Sequence, residues 1–425
     1  MARKALARKN TRRLGSISRS FQKARKRRQE RRLLTDLEFA FADRLEFLNE
    51  SHWDEVARHG SIFLDRRYLT TLAESGLQDV SFRYGLIYRT RQPVACFAMQ
   101  TVDIAGDQLV RADDQLTEEE QRKFSKQVTR RALKRAHRRV TVCGNLVSWG
   151  MDGFAFDPYQ PAAEMWKALS EALYRLRRAD KLYGQADYVM VKDLVAASQE
   201  DSSAFEAHSY RAVETEPNMV LEMDPSWKTF YDYLASLNKK YRKAAKTVDK
   251  TLKSAGAVIA TLDELSPHRD ELHSMYVDVA RRADVRLASL SADFLPSLQG
   301  KLGSELFATH TINSADGKLL GYVTILRDGD TAVGYYLGLD YDSNEKLPIY
   351  HRLLFLVIEQ AIEWGCQRIS FGRTALEAKS RLGCQPEQTF VWVRHRIPLL
   401  NAVVRQLLKA VPHAEPPERN PFKSV

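Results

Sequence analysis

Cysteine is scarce in this 425-residue chain. There are four, Cys96, Cys143, Cys366 and Cys384, and no two stand at a metal-ligand spacing. That argues against a disulfide scaffold and a zinc ribbon, and it suits reduced, buried thiols in a cytoplasmic protein. No apolar run approaches the roughly 18 residues that a membrane span needs. The best candidate, residues 353–364, is short and carries two glutamates. The N-terminus has the basic flank of a signal peptide but lacks its apolar stretch. No Ser-His-Asp or Cys-His arrangement and no cluster of metal ligands can be read from the sequence, which disfavours a covalent acyl-enzyme and a metal centre.

Acidic residues are missing from one region. Residues 1–32 hold 14 Lys or Arg against the single acid Glu30. The chain's net charge of +11 therefore comes from this segment, and the body that follows is slightly acidic. Nucleic-acid binders usually carry their basicity on the folded domain. The composition of 1–34 fits a plain soluble extension, an arm that contacts anionic membrane or RNA, or a transit peptide.

What is present reads as α/β, with mixed sheets. Residues 305–312 form a strand candidate, and two further β-rich runs follow Asp316-Gly317 and Asp328-Gly329. Such turns between strand-like runs predict an antiparallel meander. A polar loop comes next, and then Leu354, Val357, Ile358, Ala361 and Ile362 at helical spacing. Gly365 stops that helix, and residues 366–371 begin another strand. The first half repeats this order: strands at 81–89 and 93–102, a charged helical stretch at 118–138, a strand over 140–149, an amphipathic helix around Met165–Leu176, and a strand at 186–194. This predicts two units of similar architecture. The segments are a basic extension at 1–34, a first domain at 35–215, a second at 216–396, and a tail at 397–425 whose helix 397–411 has one apolar face.

Between the halves, residues 227–256 read as one linking helix. Lys239, Lys243, Lys246, Lys250 and Lys253 recur on a single stripe, a solvated face or a polyanion contact, and Gly256 stops the helix.

The stretches LNKKYRKAAK (237–246), DGKLLGYVTIL (316–326), YYLGLD (335–340) and FGRTALEAKSRLG (371–383), with the helix at 350–365, resemble the FemABX-like branch of the GNAT acyltransferase superfamily. The resemblance covers roughly residues 36–395 and is strongest over 227–395. It implies two tandem GNAT-like units and transfer of an acyl or aminoacyl group from an activated carrier to an amine. The carrier would be an acyl-CoA such as acetyl-CoA, or an aminoacyl-tRNA, with no metal. The acceptor would be an amine-bearing small molecule, a cell-envelope precursor or a protein. The location would be cytoplasmic, or peripheral at the inner face of the membrane. The glycine-rich pyrophosphate signature usual in GNAT folds is absent from 341–353 and 150–162, which weighs against coenzyme A and keeps an aminoacyl-tRNA donor open.

The resemblance also implies a site. The carrier would pass Leu337 and Gly338, with Lys346, Tyr350 and Arg352 at the following loop and helix start, and Lys239, Lys243 and Lys246 facing its phosphates. Lys379 would hold the oxyanion or the substrate, with Asp340 and Glu377 as bases and Arg373 as an anion clamp. Tyr335 and Tyr336, adjacent on a strand, should face opposite sides, leaving Tyr336 as the proton donor. The alternative is a non-catalytic GNAT-like module that docks on membrane or nucleic acid through its basic tail.

Overall fold

The computed structural model describes residues 22, 26, 35–77, 79–104, 138–150, 153–282, 288–397, 401 and 417–423. The basic extension, the helical stretch at 118–138 and the helix at 397–411 lie almost wholly outside the described residues.

The strands are β1 (Glu38–Ala42), β2 (Val80–Arg89), β3 (Gln92–Ile104), β4 (Arg138–Cys143), β5 (Phe154–Phe156), β6 (Tyr188–Val195), β7 (Arg211–Glu222), β8 (Val258–Thr261), β9 (Phe307–Asn313), β10 (Leu319–Asp328), β11 (Thr331–Leu339), β12 (Arg368–Ser370) and β13 (Gln385–His395). All join one sheet in the order β1-β2-β3-β4-β6-β13-β7-β12-β11-β10-β9-β8, with β5 on β3. The order is palindromic about the β13–β7 pair. On each side an antiparallel meander leads to a parallel pair, β4 with β6 and β11 with β12. The chain is therefore a tandem α/β protein, as its order of elements implied. Strand β7 pairs with both β12 and β13, so the 215/216 division falls inside a strand common to both halves.

The helices used below are α1 (Glu50–Ala57), α2 (Arg66–Thr71), α3 (Ala162–Ala179), α4 (Phe230–Ser236), α5 (Lys239–Ser254), α6 (Arg269–Arg281), α7 (Phe294–Leu302), α8 (Ile349–Glu363) and α9 (Leu376–Ser380). Helix α3 is the crossover of the first half; its Met165, Leu169, Ala172, Leu173 and Leu176 are buried in the core beneath β3, β4 and β6. Helix α8 is the crossover of the second, packed with α4 and α5. A third core is built by both halves, where Trp53, Tyr68 and Leu72 meet Phe294, Tyr322 and Tyr335.

Three local readings of the sequence are corrected. Residues 227–256 form two helices, because the chain breaks at Leu237 and Asn238 to pair with Phe422 and Pro421 of the C-terminal tail. The stop at Gly256 holds: its φ is +72°, and the Gly256 and Ala257 N–H groups close on the carbonyls of Lys253 and Leu252. The strand expected over 140–149 ends at Cys143. Gly144, at φ +134°, donates its N–H to the Ala98 carbonyl, and the chain turns away towards the other half.

The third correction concerns β11. Its register with β10 shifts between Val323 and Ile325, so Tyr335 and Tyr336 together oppose Thr324. This is a β-bulge, and it undoes the alternation of side chains. Both tyrosines therefore turn to one face, with ring centroids 4.5 Å apart, and each packs against Trp149. The Thr324 hydroxyl fills the bulge: it donates to the Tyr336 carbonyl and accepts from the Tyr336 N–H, each at 3.0 Å.

Thr324→Val keeps the shape and removes both bonds. Leaving buried peptide groups unpaired costs about 1–3 kcal/mol, so the valine variant should unfold at lower urea concentration, while Thr324→Ser should stay close to wild type.

Candidate active site

Strands β11 and β12 pair only over Thr331–Val333 and Arg368–Ser370. Beyond Val333 the β11 segment from Gly334 to Leu339 has no strand partner on that side among the described residues, and a cleft of about 1600 Å³ opens there. The first half has a comparable fork after the Cys143–Val191 pair. There Lys192 fills the space, donating its Nζ to the carbonyls of Asn145 at 2.7 Å and Ser148 at 2.6 Å. The two forks match closely, since the second residue past each final pair, Asp193 and Gly372, has a positive φ of +64° and +78°.

The cleft belongs to both halves. One wall is α5, through Lys240, Lys243, Ala244, Thr247, Val248 and Thr251. A second is the entry to α8, with Lys346, Tyr350 and His351. The first half supplies the loop Leu146–Trp149 and the β6 residues Met190 and Lys192. Tyr336 lines the cleft beside Leu337, and its hydroxyl donates to the Val147 carbonyl at 2.9 Å.

Lys379 lies where the last parallel strand ends, and it lines the cleft. It is not an exposed helix lysine, having only 3% of its surface accessible. Its Nζ donates to the carbonyls of Phe371 at 2.6 Å and Gly372 at 3.2 Å. The short helix α9 that carries it starts from Ala375, held in a left-handed conformation at φ +54°. Burial pulls the Lys379 ammonium down to about 7. Either ionisation state satisfies both carbonyls, because the neutral amine still has two N–H donors. The neighbouring Cys384 thiol is pushed up to about 12 by burial, so it is protonated at neutral pH.

Arg373 also lines the cleft, and its guanidinium pairs with the fully buried Asp193 of β6. Asp193 pairs in turn with Lys192 at 2.7 Å. Burial lowers the Lys192 pKa, and the nearby Arg373 guanidinium acts in the same direction.

Several residues expected at the site lie elsewhere. Glu377 points outward to Arg381 at 2.8 Å and Arg419 at 3.1 Å, and hydrogen bonds from Arg381 keep it ionised. Asp340 accepts from the Ser343 N–H as a helix cap and pairs with Lys318, which holds its carboxyl below the usual range. Gly338 packs against Tyr322 and Met275. Arg352 is buried between α5 and α8, bound to Asp249 at 3.4 Å and Glu359 at 2.7 Å. Lys239 and Lys246 are exposed and do not line the cleft, which takes Lys243 from the expected stripe and Lys240 from outside it. At the start of α8, the Tyr350 N–H donates to Asn344 Oδ1 at 2.9 Å, which uses one of the donors that an anion would seek there.

Four site residues escaped the sequence reading: Ser148, Trp149, Lys192 and Asp193. Trp149 and Ser148 were hidden because the sequence reads them as the end of a strand that stops at Cys143 in the structure. Among the described residues, no group of three or more His, Cys, Asp or Glu is arranged to hold a metal.

Lys379 sets a pH dependence of stability. Its folded pKa of about 7 lies below the unfolded value, so between the two the unfolded chain holds the extra proton. Stability should therefore rise from pH 7 towards pH 10, by ~3–4 kcal/mol for this one group. Urea titrations should show that rise in the wild type and a flatter curve in Lys379→Met.

The family model for the acetyltransferase (GNAT) domain matches residues 239–380. No curated protein matches the chain in sequence. Among solved structures the chain is similar to FemX, with a TM-score of 0.52 and 10% identity, covering 87% of this chain and 99% of that one. It is similar also to L-PGS from Bacillus licheniformis, with a TM-score of 0.44 and 11% identity over 81% of this chain and 96% of that one. A tandem GNAT protein from the clavulanic acid biosynthesis pathway gives 0.44 and 9% over 85% and 98%. Residues 239–380 thus match an acetyltransferase (GNAT) domain, and the chain as a whole shares the fold of FemX.

Proposed function

We propose that this protein is an N-acyltransferase that moves an acyl or aminoacyl group from an activated carrier, an acyl-CoA or a charged tRNA, to an amine acceptor. One observation carries the reading: the fork of β11 and β12 opens into the cleft beside a buried lysine whose ammonium is weakened to about 7. The two units correspond to 35–215 and 216–396, with β7 shared. The second is the chemical one, because in the first Lys192 occupies the fork. The acceptor is an amine on a small molecule, a cell-envelope precursor or a protein.

The reaction forms a C–N bond and breaks the C–S or C–O bond to the carrier. The attacking amine must lose a proton as the leaving group gains one. In its neutral form Lys379 has both N–H bonds directed at carbonyls, which leaves its lone pair as the free position. It takes the proton from the amine and becomes an ammonium whose third N–H serves the oxyanion and then the departing sulfur or oxygen. Arg373, Tyr336, Leu337, Lys243, Lys346 and Tyr350 hold the reactants.

Incubation with acetyl-CoA and, separately, with aminoacyl-tRNA, against a panel of primary amines and with mass detection of the amide, tests this reading. The rate should rise with pH through about 7 and fall by about 10²–10⁴-fold in Lys379→Met, the usual worth of a positioned proton-transfer group. Transfer from neither carrier, or a Lys379→Met variant as fast as wild type, refutes the assignment.

A further inference from the structure

Three buried donors cluster at one end of the cleft. Ser148 Oγ, Trp149 Nε1 and Arg373 Nε have no hydrogen-bond partner among the described residues, and each belongs to a residue that lines the cleft. Ser148 is only 4% exposed. Their proximity follows from the surrounding contacts. The Trp149 indole lies over Gly372, so closely that a methyl group there would come within 2.3 Å of Nε1, and Gly372 is bonded to Arg373 in the chain. The Ser148 carbonyl accepts from Lys192, which pairs with Asp193, the partner of Arg373. Native structures rarely leave buried donors unpaired, and such groups call for an explanation. Three in one place, on two loops from different halves, form a seat for an acceptor group carried by a ligand.

The charges narrow the class of ligand. The Lys192 ammonium is spent on Asn145, Ser148 and Asp193. Its charge offsets that of Asp193, so one net positive charge remains, on Arg373. Glu214 and Glu216 line the same cleft, as do Lys240 and Lys243 of α5 and Lys346 before α8. At this corner a monoanion that accepts several N–H and O–H bonds matches the single charge of Arg373. We infer that the Ser148–Trp149–Arg373 corner binds a carboxylate of the acceptor, so that the amine acylated at Lys379 belongs to a molecule that also bears a free carboxyl group. Glu214 and Glu216 then face the acceptor's ammonium as it approaches. This specificity rests on the acyltransfer reading, but the seat can be tested apart from it.

The test is binding of alanyl-alanine and of its C-terminal amide to the full chain, followed by the indole ¹H–¹⁵N signal of Trp149, assigned with Trp149→Phe. Alanyl-alanine should move that signal and the amide should not. Ser148→Ala should weaken binding by about ten-fold, as loss of a hydrogen bond to a charged group does. Calorimetry should show a similar loss for Trp149→Phe. Equal binding of amide and acid, or a Trp149 signal that answers to inorganic phosphate and not to the dipeptide, overturns the carboxylate seat. Either result leaves transfer from the carriers to other amines intact. Conversely, absence of transfer with normal dipeptide binding refutes the acyltransfer reading and spares the seat.

Discussion

The pairing of β13 with β7 is the contact on which the rest depends. Strand β13 comes last in the chain, yet it lies between β6 of the first half and β7 at the start of the second. It is antiparallel to both, and its ladder with β7 runs from Gln385–Val220 to Val393–Arg211. Because strands sit about 4.8 Å apart in a ladder, this insertion fixes the distance between the two parallel pairs. It also sets the exits of β6 and β12 side by side on one surface. Asp193 can then reach Arg373, and the loop that ends β4 can lay Trp149 over Gly372.

The two forks show how one architecture yields different chemistry. In the first half a long cation fills the fork and satisfies the carbonyls of the loop beyond it. In the second half the equivalent strand exit carries Phe371 and Gly372, and their carbonyls turn to Lys379 on a helix that follows. The fork itself stays open. Two lysines, Lys192 and Lys379, thus lie within one site, and Lys192 pairs there with the buried Asp193. Burial weakens both ammonium groups, and in the open fork the consequence is a lysine that gains and loses its proton near neutral pH.

Much of the fold was legible from local pattern. The Asp-Gly turns, the apolar stripes of α3 and α8 and the stop at Gly256 are short-range features, and all of them stand in the structure. The repeated order of elements was legible for the same reason. The bulge at Tyr335–Tyr336 was not, because it depends on which β10 residue faces β11. The break at Leu237–Asn238 was hidden as well, since its cause is a tail nearly two hundred residues further along. At the site, the placement of Lys379 after the central strand β12 was readable. The roles of Glu377, Asp340 and Arg352 were not, because each is decided by a partner distant in sequence or on the next turn: Arg419, Lys318 and Asp249.

The sequence by itself determined most of the elements, their order, the tandem plan and the neighbourhood of Lys379, since these follow from periodicity, turn chemistry and a family resemblance carried by contiguous stretches. The tertiary structure alone decided that both halves build one cleft, that Ser148, Trp149, Lys192 and Asp193 belong to it, and that Lys379 is buried rather than solvated. The physical reason is that desolvation and unmet hydrogen bonds are properties of a packed environment. That environment exists only once β13 has drawn the two strand exits together.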